Sequence, residues 1–214
     1  MMNGSDSLFL DRLMTTLTCG LTWIPLYIIL LYVVIKNNET TAQILLIVGC
    51  ALLCVVLADG MADFWAKPHF QRWRPSNDPS LKYIVKVVNN VRGGDYGFFS
   101  AHAANTFSLA VFFSLLIKDK VFAMTLVFWS LLNCYTRIYL GLHYPGDILV
   151  GIAWGAVAGI LCHWIWYKTY YKISPNIHYI SSQYTSSGYA LHDVRVIVMV
   201  FVFIMVYAVL RALV

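Results

Sequence analysis

Residues 136–147 read Thr136-Arg137-Ile138-Tyr139-Leu140-Gly141-Leu142-His143-Tyr144-Pro145-Gly146-Asp147. One apolar run enters this stretch and another leaves it. It therefore reads as the turn between two helices, the first ending near Arg137 and the second starting at Pro145. Proline suits a first helical position because the N–H it lacks has no partner there anyway. Asp147 falls in the first turn, where the helix dipole favours a carboxylate, about one turn from His143. From there it can accept a proton from one imidazole nitrogen and leave the other free as a nucleophile. Arg137 offers a planar, permanently charged fork that suits phosphate. A pinned histidine beside an anion-binding arginine, at the mouth of two apolar helices, points to phosphoryl chemistry at a membrane surface.

The rest of the chain agrees with a membrane setting. Of its 214 residues 60% are hydrophobic and 12% charged, against about 25% charged in soluble domains. Six apolar segments are each judged against the ~20 residues that cross a bilayer. They run from about Cys19 to Ile35, Thr41 to Trp65, Ser100 to Ile117, Val121 to Tyr135, Pro145 to Tyr167 and Val194 to Val214. The charged turns Lys36–Glu39 and Lys118–Lys120 are short and demand antiparallel neighbours. The expected fold is an all-α integral membrane protein, a compact bundle of six transmembrane helices in one domain. Residues 1–18 fit an N-terminal interfacial helix, with Leu8, Leu13 and Leu17 opposed to Asp6, Asp11 and Arg12; a frayed terminus fits them equally well. No cleavable signal peptide is expected, since the first long apolar run lacks a basic flank and a small-residue cleavage site. The net charge of +5 forms no basic stripe, which argues against nucleic acid. Cys19, Cys50, Cys54, Cys134 and Cys162 lie in or beside apolar runs without zinc-type spacing and read as small core residues.

Six crossings put the loops 67–99 and 136–147 at one end of the bundle, with both termini. Three stretches then converge there. The first is Lys67-Pro-His-Phe-Gln-Arg-Trp-Arg74-Pro75, whose Lys67 and Arg74 can face one anion or can simply meet lipid headgroups. Asp63, four residues before Lys67, is placed to hold it or to lie solvated at the interface. The second is Phe99-Ser100-Ala101-His102, ahead of an apolar helix. Ser100 is a suitable N-cap, and the N–H groups beyond it can take phosphate. His102 is either a proton donor or a surface histidine. The third is the opening stretch. Gly93, Gly94 and Gly97 read as loop punctuation. Arg72, Lys82, Lys86 and Arg92 could meet a second phosphate or sugar, or form a solvated loop. The loop 168–193 carries no readable chemistry.

Taken together, Lys67-x6-Arg74-Pro75, Ser100-x-His102 and Arg137-x5-His143-x3-Asp147 resemble, in order and spacing, the signature of the type 2 phosphatidate phosphatase superfamily. The resemblance covers the chain from about residue 20 onward. It implies His143 as the nucleophile that becomes phosphohistidine and Asp147 as its orienting carboxylate. It implies His102 as general acid and later base, and Lys67, Arg74, Ser100 and Arg137 as the phosphate cradle. It implies no metal and no cofactor. Phe99 and Ala101 stand where the family usually has proline and glycine, and Thr136 where it often has serine; none of the three removes a proposed catalytic group.

Within the family, the compact bundle and the run from Gly94 to Asn105 are most similar to bacterial lipid A phosphatases of the 4′ type. That implies a membrane lipid substrate, no obligatory protein partner, and a multi-pass protein of the bacterial inner membrane with its site facing the periplasm. Undecaprenyl pyrophosphate phosphatase is the alternative, with phosphatidylglycerophosphate or phosphatidate phosphatase behind it. Six spans argue against a soluble vanadium haloperoxidase, and a lipid transporter would not need His102, His143 and Asp147. Charge does not orient the chain. The far end carries Lys36, Lys118, Lys120, Lys168, Lys172 and Arg195; the near end, cradle residues aside, carries Arg12, Arg72, Lys82, Lys86, Arg92 and Arg211. The positive-inside rule has no asymmetry to act on.

Overall fold

The structure is a computed structural model that describes residues 4–173 and 182–214. Part of the loop read above as 168–193 thus lies outside the described residues. All six apolar segments are helical. In chain order the helices are α1 (Leu8–Thr18), α2 (Ile24–Lys36), α3 (Thr41–Asp59), α4 (Lys67–Phe70), α5 (Ala101–Ile117), α6 (Lys120–Tyr139), α7 (Pro145–Ile173) and α8 (Leu191–Leu213). A π-helical turn, Gly60–Ala66, carries α3 into α4. That makes one continuous 30-residue apolar helix from Thr41 to Phe70.

Four helices among the described residues are long and apolar enough to cross a membrane, and α1 with α2 makes a fifth if that pair, bent by 67°, is one span. The third expected segment is a helix of 17 residues, shorter than a bilayer requires by itself. Large apolar side chains face outward along the bundle, among them Ile28, Leu45, Leu52, Val56, Phe203 and Leu210. An exposed apolar belt of this extent is what a lipid-facing surface looks like.

Residues 8–18 form a helix rather than a frayed end. Ser7 caps it, accepting from the Leu10 N–H. Its inner face is buried at Met14 and Leu17, and Asp11 accepts a 2.6 Å hydrogen bond from Tyr139. One face of α1 therefore packs on protein. The α1–α2 corner is pinned by Trp23, which donates to the Leu17 carbonyl at 2.8 Å and lies against Trp129 and Phe201.

Several helices start where the sequence supplies a side-chain cap, while α2, α4 and α8 start without one. Thr40 and Gln43 form a capping box on α3, and Asp119 accepts from the Phe122 N–H at the start of α6. At the end away from the 136–147 turn, Lys36 pairs with Asp193 at 2.7 Å and Arg195 with Asp119 at 2.9 Å. The sequence-based expectation ended the helix before the turn near Arg137; it continues to Tyr139, and Pro145 opens α7 as expected.

The packing that places the site is between α5 and α7. Gly151, Gly155 and Gly159 repeat every four residues and form one stripe on α7. A Cβ on them would lie 2.7, 2.6 and 2.6 Å from the carbonyl oxygens of Ser100, Ala104 and Ser108. Backbone approaches this close need residues without a side chain, as in small-xxx-small helix pairs of membranes. The stripe lays α5 along α7 from its first turn, and Ser100 N–H donates to the Asp147 carbonyl at 3.1 Å. The start of α5 and the start of α7 thereby become one rigid corner.

Candidate active site

The corner is completed by two loops. Residues 72–74 run antiparallel to 95–97: Arg74 N–H donates to the Asp95 carbonyl and Gly97 N–H to the Arg72 carbonyl, at 3.0 and 2.9 Å. The Arg74 side chain crosses Gly93 and Gly97. A Cβ at Gly93 would lie 2.6 Å from its guanidinium carbon, and one at Gly97 3.0 Å from its Cγ. These two glycines are more than punctuation, because they open the slot in which Arg74 lies.

His143 sits in the turn between α6 and α7 and is 5% exposed. One nitrogen, Nε2, is 3.0 Å from Arg74 Nη1, which also donates to the Leu142 carbonyl at 3.2 Å. Guanidinium can only donate, so Nε2 is the acceptor and the proton is on Nδ1. That proton goes to the Gly97 carbonyl at 2.9 Å. Burial, more than the neighbouring charges, pulls the imidazole down to about 4. It is therefore neutral at ordinary pH, with its lone pair on Nε2.

Asp147 is fully buried, and its Oδ2 lies 3.8 Å from His143 Nδ1. That is an ion-pair distance but too long for a hydrogen bond, which corrects the expectation that Asp147 accepts the imidazole proton. The carboxylate is instead held by the Tyr144 N–H at 3.0 Å and by Arg72 at 2.9 Å. It has a helix N-terminus to satisfy and a neighbouring guanidinium to pair with, while the Gly97 carbonyl is already nearer the ring. Arg72 also stacks over Tyr144, 4.4 Å from its ring centre. Arg72 thus pairs with Asp147 while its side chain stays 46% exposed. Lys86 is likewise engaged at the N-terminal segment, with the Ser5 carbonyl and Asp11.

Lys67 is paired with Asp63 one turn earlier, one of the two placements the four-residue spacing left open. Ser100 caps α5, accepting the Ala103 N–H, and has no exposed surface. Its hydroxyl works as a cap in this arrangement. His102, one residue into α5, is exposed and lies in the combined field of Arg137, His143, Lys67 and Arg74. Arg137 and Arg74 act on each other as like charges. No carboxylate within salt-bridge distance of Arg74 or Arg137 is found among the described residues. Burial also holds the Arg74 guanidinium below its usual range, though it stays charged, and its Nε is buried with no hydrogen-bond partner. Beside them an open groove of about 540 Å³ is lined by Lys67, Gln71, Arg74 and Tyr96 and also by Asp63 and Asp95. Two arginines with no carboxylate at salt-bridge distance, one of them with an orphaned donor, thus stand beside a neutral imidazole, and the fork of each suits phosphate.

Gly97 and Arg72 had no individual signal in the sequence. The glycine stripe did, as Gly-x3-Gly-x3-Gly within an apolar run.

Comparison with known proteins bears on the same residues. The model of the PAP2 superfamily matches residues 44–171. A lipid A 4′-phosphatase of Bacteroides thetaiotaomicron is 39% identical over 167 residues, covering 78% of this chain and 74% of that protein. A lipid A 4′-phosphatase of Porphyromonas gingivalis is 37% identical over 171 residues, covering 79% of this chain and 70% of that protein. No solved structure matches the chain. The family match spans more than half of the sequence and contains all seven of the converging residues, from Lys67 to Asp147: the chain belongs to the PAP2 superfamily.

Proposed function

We propose that this protein is a lipid A 4′-phosphatase, a metal-independent phosphoric monoester hydrolase of the bacterial inner membrane. Its six helical segments act as spans, and its site opens toward the periplasm. The observation that carries the reading is the neutral, buried His143 with its lone pair on Nε2, facing Arg74, whose orphaned Nε, with no carboxylate at salt-bridge distance among the described residues, leaves it ready for an anion. The similarity to two lipid A 4′-phosphatases supports the choice of lipid.

In the resting arrangement Arg74 covers the nucleophile. An arriving phosphate offers the guanidinium charge-assisted hydrogen bonds, roughly twice as strong as one to a neutral acceptor. Arg74 then moves from Nε2 to the phosphoryl oxygens and uncovers the lone pair. Nε2 forms a bond to phosphorus as the bond to the sugar oxygen breaks. The bound phosphate offsets the cations around His102 and lets it hold a proton, which it delivers to that oxygen as the lipid alcohol leaves. Lys67, Arg74 and Arg137 offset the charge on the three remaining oxygens, where stabilisation of a loose transition state matters most. Gly97 keeps the Nδ1 proton in place, and Asp147 stabilises the positive ring of phosphohistidine. His102, now neutral, takes a proton from water, which attacks phosphorus and frees His143 and inorganic phosphate.

The test is phosphate release by the purified protein from lipid A, undecaprenyl pyrophosphate and phosphatidylglycerophosphate, with mass spectrometry to place the lost group. Loss at the 4′ position of lipid A is expected. Release from only the other two would replace the substrate and leave the chemistry standing.

A further inference from the structure

The end of α6 leads straight into His143, and the N-terminal segment grips it from behind. Leu140 N–H donates to the Thr136 carbonyl, Gly141 N–H to the Ile138 carbonyl and Leu142 N–H to the Arg137 carbonyl, each at 3.0 Å. Residues 136–142 are therefore one closed turn, with Arg137 near its start and His143 directly after its end. Tyr139 stands in the middle and is buried. Its O–H donates to Asp11 Oδ1 of α1 at 2.6 Å. The Ser5 hydroxyl lies 2.9 Å from the same phenol oxygen, and the Tyr139 carbonyl accepts from the Gly4 N–H at 2.9 Å. We propose that Asp11 and Tyr139 are a positioning pair, through which α1 fixes the placement of Arg137 and His143 for phosphoryl transfer. The inference rests on reading the site as that of a phosphatase.

Helix ends fray, yet this one has to place two side chains of the site. The residues that hold it precede residue 44, where the family match begins. Asp11 is itself fixed: it is buried, and Lys86 Nζ lies 3.5 Å from its Oδ2 while also bonding the Ser5 carbonyl. Its two oxygens thus have different partners, a phenol and an ammonium, which sets the direction of the carboxylate. Around the bond Leu10, Met14, Val88, Leu140 and Leu142 form a small apolar cluster. Apolar contacts keep α1 against the turn but are non-directional; the hydrogen bond decides where along α1 the turn stops. Two lesser ties flank it. The Thr18 and Thr136 hydroxyls are 3.2 Å apart, and Ser76 N–H donates to the Gly141 carbonyl at 3.2 Å. Neither Asp11 nor Tyr139 lines the groove beside the cradle, so the pair acts through the turn and not on the phosphate.

The experiment uses the full chain and reads kcat on p-nitrophenyl phosphate, the Kd of orthovanadate and Tm. Tyr139→Phe removes one oxygen and keeps the ring; Asp11→Ala removes the other end of the bond; Asp11→Asn keeps an acceptor for the phenol. Thr15→Val is the control, because it deletes the α1 hydroxyl that accepts from Asn89 at 3.0 Å and leaves Tyr139 alone. Tyr139→Phe and Asp11→Ala are each expected to lower kcat about tenfold, part of the ~10²-fold that a misplacement near 1 Å is worth. Vanadate should weaken by a similar factor, since a transition-state mimic senses the same displacement. The double variant should be no slower than either single one, as for two ends of one bond. Asp11→Asn should stay near the wild-type rate, and Thr15→Val should keep wild-type kcat and vanadate affinity even with a lower Tm.

Wild-type kcat and vanadate affinity in Tyr139→Phe overturn the proposal, whatever happens to Tm. So do losses that multiply in the double variant, or a Thr15→Val protein as slow as Tyr139→Phe. Should Asp11→Ala fail to fold, Tyr139→Phe and Asp11→Asn still decide: a slow phenylalanine variant beside a fast asparagine variant supports the bond, and equal loss in both refutes it. A wild type that binds vanadate but cleaves no phosphomonoester ends the phosphatase reading, and the vanadate affinities of the variants then decide the positioning pair alone. A wild type that does neither overturns both.

Discussion

Gly155→Ala adds one methyl group far from the chemistry and should nevertheless slow it. The new Cβ would lie 2.6 Å from the Ala104 carbonyl oxygen and 3.1 Å from Ser108 N, both backbone atoms of α5 that cannot rotate away. Restoring the 3.4 Å of ordinary contact requires α5 and α7 to separate by about 0.8 Å. Gly155 is eight residues beyond Asp147, or about 12 Å along the helix. Both helices are stiff over that distance, so the displacement reaches the corner where α5 presents His102 and α7 presents Asp147 beside His143. A misplacement near 1 Å is worth roughly 10²-fold in rate. We expect kcat to fall by about that factor on lipid and on p-nitrophenyl phosphate alike, with stability lower by about 1–3 kcal/mol from overpacking. Alanine is the better helix former by about 1 kcal/mol, so destabilisation here would have to arise between helices. Ile160→Ala, an outward-facing change on the same helix, should stay within twofold and serves as the control. A Gly155→Ala protein with wild-type kcat and wild-type Tm would mean that the glycine stripe does not set the distance between the two halves of the site.

Four further expectations can be checked directly. His143→Ala should abolish phosphate release while the protein still folds; activity within tenfold of wild type removes His143 from its role, and Asp147→Asn should leave a slow but measurable enzyme. His102→Ala should lose most of the ~10²–10⁴-fold due to general acid catalysis on a sugar phosphate and less in the burst of leaving group from p-nitrophenyl phosphate; equal losses would demote it to phosphate binding. Activity should survive EDTA and be inhibited by vanadate, since Lys67, Arg74 and Arg137 already supply the positive charge; loss on chelation restored by one particular ion would refute this. The His143 imidazole should titrate near 4 in NMR of the ligand-free protein. Between about 6.5 and 4 the unfolded chain then binds more protons than the folded one, so His143 makes stability fall as pH drops through that window and adds no further loss below it; a midpoint near 6.5 would contradict its burial.

Much of this was legible because it is local. Pro145 opening α7, Ser100 capping α5 and Asp63 beside Lys67 follow from spacings of one turn or less, which helix geometry fixes without tertiary information. Apolar runs gave six helical segments because lipid exposure keeps a whole helix apolar. What escaped was set across the fold. Gly97 earns its place by a carbonyl oxygen, an atom every residue has, so no residue type marks it. Arg72 and Arg74 are both arginines near one proline; only the antiparallel run against 95–97 sends one to Asp147 and the other to His143. The π turn at Gly60–Ala66, two residues before Pro68, shifts helical phase by a residue, and phase is what points Trp65 toward the bilayer.

The division of work around His143 follows from the same geometry. A hydrogen bond fixes direction, while a charge acts over a longer range and needs no alignment. The Gly97 carbonyl, at 2.9 Å, sets the tautomer and the plane of the ring. Asp147, at 3.8 Å, contributes field alone. While the ring is neutral that field has little to act on, and Arg72 keeps the buried carboxylate compensated at 2.9 Å. Once Nε2 bonds to phosphorus the ring becomes cationic, and the same buried carboxylate faces a full positive charge. Its effect thus grows as the reaction proceeds, which is the condition for an interaction to accelerate a step and not merely tighten binding. Replacing Asp147 with asparagine should therefore slow phosphorylation of His143 without disordering the ring, since the Gly97 bond that orients it is untouched. Gly97→Ala would do the reverse, because its Cβ would lie 3.0 Å from Arg74 Cγ and 3.5 Å from His143 Nδ1, disturbing orientation while leaving the charge in place.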